Sequence, residues 1–176
     1  TFLNSGSWGA ALLAAGTTLS AVRHILDGHG KIAYALVRPP GHHAQPDHAD
    51  GYCFLNNAGL AVQLALDSGR AKVAVVDIDV HYGNGTAEGF YRTDNVLAIS
   101  LHMKHGTWGP SHLQSGSADE IGEGKGLGYN LNIPLPNGSG DKGYEYAMNE
   151  LVVPAIDKFQ PQLLVFVIGQ DSSMVS

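Results

Sequence analysis

The sequence predicts an α/β fold in which a mostly parallel sheet is covered by helices on both faces. Short, continuously apolar segments alternate with longer segments whose apolar residues recur at helical spacing. Strands of a parallel sheet have this continuous apolar character because neither of their faces meets water. In addition, His and Asp residues follow several of the apolar segments, and ligands gather at the carboxyl ends of strands in such sheets.

Each helix is predicted from helical spacing of apolar residues, and each strand from an apolar or alternating run. Helical spacing predicts helices over residues 10–26, 54–66 and 144–159, and a helical turn over 88–91. Apolar or alternating runs predict strands over residues 31–37, 72–80, 96–101, 129–135 and 162–168. Residues 111–128, rich in Gly, Ser and acidic side chains, are predicted to form a long loop.

Length and composition limit the class of protein. The 176 residues suffice for one domain, and 44% hydrophobic with 15% charged residues is typical of a globular one. The net charge of −6 argues against a nucleic-acid binder that relies on phosphate contacts. No apolar run approaches the roughly 18 residues that span a membrane, so no membrane contact is expected.

The cysteine count predicts the cellular compartment, and the two ends of the chain indicate its relation to a longer protein. Cys53 is the only cysteine, which excludes an intrachain disulfide and favours a reducing compartment, interpreted as the cytoplasm. The chain begins at Thr1 without a methionine, has no signal-peptide pattern and stops just past an apolar run. We therefore expect a piece of a longer protein.

Three side chains have the residue types of a metal site. Asp79 and His81 are two apart in a segment predicted to be extended, so their side chains point to the same side. Asp171 follows the last predicted strand and could complete three ligands, which leaves the open position typical of catalytic zinc. Alternatively, Asp79 caps a turn and His81 is a buried structural histidine. That reading suits an isolated Asp-x-His pair better than it suits this convergence of segments.

A histidine pair and a third aspartate accompany these candidate ligands. His42 and His43 follow a rigid Pro-Pro-Gly turn and are candidates for a general base and its electrostatic partner. On their own, adjacent histidines are better interpreted as a stray metal-binding patch or as part of a solvated loop. Asp77, at the end of the predicted 72–80 strand, could orient one of the histidines or could be a plain turn residue.

The substrate channel is predicted less directly. Gly51 and Tyr52 could flank a narrow apolar channel, although Tyr52 suits the core equally well. Trp108 and Pro110, in a predicted loop, could form the opposite wall. His102 and His105 are interpreted as surface or packing residues without a chemical role.

Five motifs carry a resemblance to a known family. They are R-P-P-G-H-H-A (38–44), G-Y-C-F-L-N-N (51–57), D-I-D-V-H-Y-G-N-G-T (77–86), I-S-L-H (99–102) and G-Q-D-S-S (169–173). In this order they resemble the class II histone deacetylases and the bacterial histone deacetylase-like amidohydrolases, of the arginase-deacetylase superfamily. The resemblance spans essentially the whole chain.

The resemblance implies a three-layer, arginase/deacetylase-like fold whose eight-stranded sheet is incomplete here at both ends, residues 1–176 being part of one catalytic domain. It implies zinc on Asp79, His81 and Asp171, and His43 as general base with His42 as electrostatic helper. It further implies that Asp77 pairs with His42. Potassium is implied near the same aspartates, His81, Ser100 and Leu101, largely through backbone oxygens.

Two differences from the wider family bear on the chemistry. Asn84 stands where class I relatives carry an aspartate, which fits class II and should change the basicity of His43. The family's tyrosine that hydrogen-bonds the oxyanion belongs to a loop expected after the last residue of this chain, so the chain alone could be inactive.

The predicted function is therefore zinc-dependent hydrolysis of an acetyl amide by a metal-activated water, with a histidine as base. Acetyl-lysine in proteins and acetylated polyamines or other small amines remain alternative substrates. The sequence does not distinguish zinc from iron as the metal. It is also compatible with a homo-oligomer. One rival is a binuclear manganese ureohydrolase of the arginase type, disfavoured because no further aspartate follows His81. The other is a non-catalytic module that binds acyl-lysine.

Overall fold

The computed structural model describes residues 3–106 and 114–172. Its helices are α1 (Ser7–Leu26), α2 (Asn57–Asp67), α3 (Asn84–Phe90), α4 (Asp141–Ala147) and α5 (Val153–Phe159). Its strands are β1 (Val73–Asp77), β2 (Val96–Met103), β3 (Asn130–Leu135) and β4 (Leu163–Val167). A 3-10 turn covers Gly124–Gly126, and a π-helical turn, Met148–Val152, joins α4 to α5.

The four strands form one parallel sheet in the order β3-β2-β1-β4. All five residues of β1 are buried, and their side chains alternate between two helical layers. Val73 and Val75 pack with residues of α2, whereas Ala74 and Val76 lie in a cluster with residues of α4, α5 and the π-helical turn. The predicted three-layer α/β/α class is confirmed.

The helix that runs from Asp141 to Phe159 is interrupted because it contains Pro154. A proline inside a helix lacks the N–H donor, and its ring clashes with the carbonyl four residues earlier. The wider π-helical turn, Met148–Val152, ends two residues before Pro154 and includes the carbonyl of Glu150, four residues before the proline. The predicted helix over 144–159 is thus correct in type but begins at Asp141 and carries this turn.

The predicted strand over residues 31–37 is wrong. The segment does not form a strand, and Ile32, Tyr34 and Leu36 are exposed at 88%, 65% and 82%. A strand needs a neighbour for its backbone hydrogen bonds. In the part of the chain that the structure describes, the four strands of the sheet pair only with one another. Local apolar character did not reveal this missing partner.

Two other predicted boundaries change near the site. β1 ends at Asp77, so Asp79 and His81 lie in a bend beyond the strand and not in an extended segment. The helical turn predicted at 88–91 is a longer helix, α3, that begins at Asn84. Both changes bring polar residues to the point where β1 ends.

α1 corrects the expectation that no apolar run is long enough for a membrane. Its 20 residues include one permanently charged side chain, Arg23, and by length and composition it could span a bilayer. Core helices of soluble proteins and signal sequences pass the same test. In the structure α1 contacts α2, and its buried residues are mostly small, including Ala11, Ala14 and Ala15.

Candidate metal and catalytic site

The site lies at one edge of the sheet, where β1 and β4 end. These strands are parallel neighbours, and Asp77 pairs with Val167 in their register. Their carboxyl ends therefore point to the same edge. Asp79 and His81 follow β1 and Asp171 follows β4, so residues about 90 positions apart in the sequence meet there.

The structure brings the three predicted metal ligands together. His81 Nδ1 lies 3.0 Å from Asp79 Oδ1 and 2.9 Å from Asp171 Oδ2. Ligand atoms of all three residues lie within 4.8 Å of one another. Backbone donors hold both carboxylates: the His81 N–H donates to Asp79 Oδ1 at 2.8 Å, and the Val80 N–H donates to Asp171 Oδ1 at 3.0 Å.

The donor set suits a divalent cation. Burial raises the pKa of Asp79, and the nearby charge of Asp171 adds to the rise. For Asp171, burial opposes ionisation, but the Val80 N–H and His81 lower its pKa. A cation would relieve the repulsion between the two carboxylates, and two carboxylates with one imidazole are ordinary zinc ligands.

Gly169 allows the carboxylates to approach each other. A Cβ at this position would collide with the Asp79 carboxylate and lie 2.8 Å from Asp171 Oδ1. Any other residue here would force the segment after β4 away from the segment after β1. The glycine is therefore required by the close approach of the two candidate ligand segments.

His42 is paired with Asp77, as the resemblance implied. Its Nδ1 lies 2.8 Å from Asp77 Oδ2, and both residues are buried. Burial disfavours a charge on the imidazole, but the Asp77 carboxylate and its hydrogen bond, with help from Asp79, raise the pKa of His42 to about 9. Asp77 Oδ1 also accepts the Asp79 N–H at 3.1 Å, which links the pair to the predicted metal ligands.

His43 has the opposite character. Its Nδ1 lies 2.6 Å from Oδ1 of Asn84, the first residue of α3, which is a neutral partner. Burial and the adjacent charge of His42 lower the pKa of His43 to about 4. The two rings are 4.0 Å apart between centroids. The pair therefore combines a cationic and a neutral imidazole, and such divergent pairs are typical of acid–base sites.

The histidine pair is positioned by helices and not by the predicted strand before it. The Thr86 N–H, in the first turn of α3, donates to the His42 carbonyl at 3.2 Å. Asn56 caps α2 by accepting the Gly59 N–H, and its amide donates to the Ala44 carbonyl at 3.2 Å. The backbone around the histidines is thus fixed to the starts of α2 and α3.

Gly51 and Tyr52 form the two central residues of a tight hairpin. Asp50 and Cys53 exchange backbone hydrogen bonds around them, and φ is +47° at Gly51 and +65° at Tyr52. A Cβ on Gly51 would collide with the His43 ring. Tyr52 is 72% exposed and is therefore not a core residue. Its left-handed backbone is uncommon for a residue with a bulky side chain.

A pocket that is partly open to solvent adjoins this hairpin. The described residues that line it are His43, Asp50, Gly51, Tyr82, Asn84, His105 and Gln114. Asp50 and His105 were missed as site residues by sequence reasoning. For Asp50 the available signal was its position directly before the predicted channel residues. Trp108 and Pro110, predicted as the opposite wall, lie outside the described residues.

Three of the residues implied for potassium, Asp77, Ser100 and Leu101, belong to the neighbouring strands β1 and β2. Asp77 pairs with Ser100 in the sheet register, and Leu101 is fully buried. The Ser100 hydroxyl bonds to His102 Nδ1 at 2.9 Å and accepts the Gly83 N–H at 3.4 Å. Potassium at this place stays a prediction.

Comparison with known proteins decides the family. Residues 1–175 match the family described as the histone deacetylase domain. This chain belongs to the histone deacetylase family.

Its relatives within the family carry two kinds of name. Histone deacetylase 8 of Arabidopsis thaliana is 75% identical over 174 residues, covering 98% of this chain and 46% of that protein. Acetylpolyamine amidohydrolase 1 of Pseudomonas aeruginosa is 44% identical over 170 residues, covering 97% and 48%. The crystal structure of the HDA15 HD domain superposes with a TM-score of 0.87 at 43% identity, covering 94% and 48%. This chain spans about half the length of these relatives.

Proposed function

We propose that this chain carries the metal centre and the general base of an enzyme that hydrolyses an acetyl amide. The observation that carries the proposal is the meeting of Asp79, His81 and Asp171 at one sheet edge, with ring contact between His81 and His43. Family membership supports the reaction class. The binuclear manganese ureohydrolase is disfavoured, because the family model and the relatives are deacetylases and amidohydrolases.

Asp79, His81 and Asp171 would hold the metal, for which zinc suits two carboxylates and an imidazole. When bound, zinc supplies a Lewis acid that polarises an acetyl carbonyl and makes water more acidic. The protein's own contribution is to fix the two carboxylates, of Asp171 and Asp79, through the backbone N–H groups of Val80 and His81.

His43 would move the proton. With its pKa lowered to about 4, the ring is neutral at physiological pH and can accept a proton. Donation of the Nδ1 proton to Asn84 Oδ1 leaves the lone pair on Nε2. In this proposal Nε2 takes a proton from the attacking water and later returns it to the departing amine. His42 remains cationic beside it, held by Asp77.

The substrate class is proposed as an acetylated amine on a linear chain. One relative is named a histone deacetylase and another an acetylpolyamine amidohydrolase, so both acetyl-lysine peptides and acetylated polyamines are candidates. A panel of both, assayed by acetate release from the full-length protein, separates them. Binding of acetylated peptide without acetate release would favour the non-catalytic binding module instead.

The test of the metal assignment is Asp79→Ala in the full-length protein. Asp79 supplies one of the three side-chain ligands proposed from the described residues, so zinc content and acetate release should be lost together. Zinc is measured by elemental analysis and turnover by acetate release. Asp94→Ala, at an exposed aspartate, is the matched control and should retain both. Turnover that persists in Asp79→Ala without bound metal would refute the assignment.

A further inference from the structure

Asn84 lies between the proposed general base and a second acidic residue. Its Oδ1 is 2.6 Å from His43 Nδ1, and its Nδ2 donates to Asp50 Oδ2 at 3.4 Å. Asn84 is buried at 8% exposure, and Asp50 is half-buried. The three side chains form a chain of contacts from imidazole to amide to carboxylate along the wall of the pocket beside the tight hairpin.

An asparagine amide can present either its oxygen or its NH₂ group to a neighbour. Only the oxygen can accept the Nδ1 proton of His43, whereas a turned amide would place a donor there. A donor at Nδ1 favours the other imidazole tautomer, in which Nε2 carries the proton and cannot act as a base. The orientation of Asn84 therefore decides whether His43 is competent.

We propose that Asp50 is a positioning residue for the general base, because its carboxylate holds the Asn84 amide with the oxygen towards His43. This inference rests on the proposed function of His43. An ionised carboxylate only accepts hydrogen bonds, so the NH₂ group of Asn84 is favoured on the Asp50 side.

Asp50 is itself well fixed for this role. Its Oδ1 accepts the Gly51 N–H at 2.8 Å, and its backbone N–H and carbonyl both bond to Cys53. One carboxylate oxygen thus binds the tight hairpin while the other faces Asn84. The contact also links the hairpin that presents Tyr52 to the start of α3.

The same geometry explains why an amide and not a carboxylate suits position 84. A carboxylate there would place two like charges at about the 3.4 Å separation of Asn84 and Asp50, which is unfavourable. Residues 50 and 84 therefore form a matched pair of carboxylate and amide. Asp50→Asn should therefore restore activity that Asn84→Asp removes.

The experiment is a double-mutant cycle in the zinc-loaded full-length protein. Asp50→Leu should lower kcat about tenfold, the scale typical of residues that orient catalytic groups, with KM changed less than about twofold. Asp50→Asn, whose side-chain oxygen can still accept from Asn84, should recover most of the rate. In an Asn84→Asp background, Asp50→Asn should raise kcat because it removes the repulsion between the two carboxylates. Asp47→Leu, at an exposed aspartate of the same loop, is the control.

Nitrogen NMR of the His43 ring at fixed pH gives a second readout that a purely structural role would not move. The wild type should show Nδ1 protonated, and Asp50→Leu should shift the ring towards the Nε2–H tautomer. The proposal would be overturned if Asp50→Asn lowered kcat equally in the wild-type and Asn84→Asp backgrounds. It would also be overturned if Asp50→Leu left the His43 tautomer unchanged. If the wild type releases no acetate, the proposed function fails, while the tautomer result still decides the role of Asp50. If Asp50→Leu does not fold, the Asp50→Asn and Asn84→Asp variants complete the test.

Discussion

Two consecutive histidines acquire opposite properties because their hydrogen-bond partners differ. His42 faces the buried Asp77 carboxylate, which raises its pKa to about 9 in spite of burial. His43 faces the neutral amide of Asn84, and burial beside a cationic neighbour lowers its pKa to about 4. The two pKa values therefore differ because the hydrogen-bond partners differ in charge, although the two histidines are adjacent in the sequence.

A residue-scale prediction concerns Gly51. Gly51→Ala should lower the free energy of unfolding by about 1–3 kcal/mol, because φ is positive and the added Cβ would meet the His43 ring. Displacement of His43 should also reduce acetate release. Urea denaturation and an acetate assay measure the two effects.

Gly69→Ala is the matched control for Gly51→Ala. Gly69 also has a positive φ, of +87°, but a Cβ there would meet nothing within 4 Å. Gly69→Ala should therefore lower the free energy of unfolding only through its unfavourable backbone conformation, and acetate release should be unchanged. Equal effects of the two variants on activity would contradict the close packing of Gly51 against His43.

Elements hold the site through hydrogen bonds that cross from one to another. Asn56 joins the start of α2 to the segment after the histidines, and Thr86 joins α3 to the His42 carbonyl. His102, buried in β2, bonds through Nε2 to the Gly116 carbonyl and so ties β2 to the segment after Gln114. These contacts orient segments that are not themselves helices or strands.

An element-scale prediction concerns the pH dependence of the His102 link. Burial lowers the pKa of His102 below its ordinary value of 6.5, although the Gly116 carbonyl opposes the shift. Near pH 6.5 the unfolded chain therefore binds a proton on this ring more readily than the folded chain does. Stability from the neutral ring is complete above about pH 6.5 and is lost as the pH falls, at no more than about 1.4 kcal/mol per pH unit.

His102→Gln removes this titration. The stability advantage of the wild type over His102→Gln should shrink between about pH 7.5 and pH 5.5, measured by urea denaturation across that range. His29→Gln, at an exposed histidine, is the control. A wild-type advantage that grows on acidification would show that the sign is wrong.

At the scale of the whole molecule, two of the apolar surfaces that the described residues expose to solvent bear on association. One is the 31–37 segment, with Ile32, Tyr34 and Leu36 exposed, and the other lies along β4, with Leu164 and Phe166 exposed at 38% and 48%. β4 lies at the end of the sheet formed by the described residues. Exposed edge strands and apolar patches are surfaces that tend to pair with other chains.

The molecule-scale prediction is that the 176-residue chain self-associates in solution. The double variant Leu164→Lys/Phe166→Lys should shift the population towards monomer, because charges on an edge strand oppose strand pairing. Sedimentation velocity measures the mass. Leu127→Lys, at an exposed loop leucine, is the control and should leave association unchanged. A purely monomeric unmodified chain would contradict the prediction.

Part of the site could be predicted because its chemistry is local in sequence. Apolar segments are followed by each part of the predicted site: Asp77, Asp79 and His81, the histidine pair, and Asp171. Ligands bind at the carboxyl ends of strands in such sheets. Asp50 was missed because its contact with Asn84 crosses 34 positions and has no local pattern. The strand at 31–37 was predicted wrongly because an apolar run contains no information about its hydrogen-bond partner.

By itself, the sequence determined the three-layer α/β class and the identity of the residues at the sheet edge, because side-chain periodicity and residue type are local properties. Only the tertiary structure decided that Asp171 meets His81 at 2.9 Å, that neighbouring histidines differ in charge, and that Asp50 reaches Asn84. These outcomes depend on distances and burial between segments far apart in the chain. Such quantities exist only after the sheet has brought the segments together.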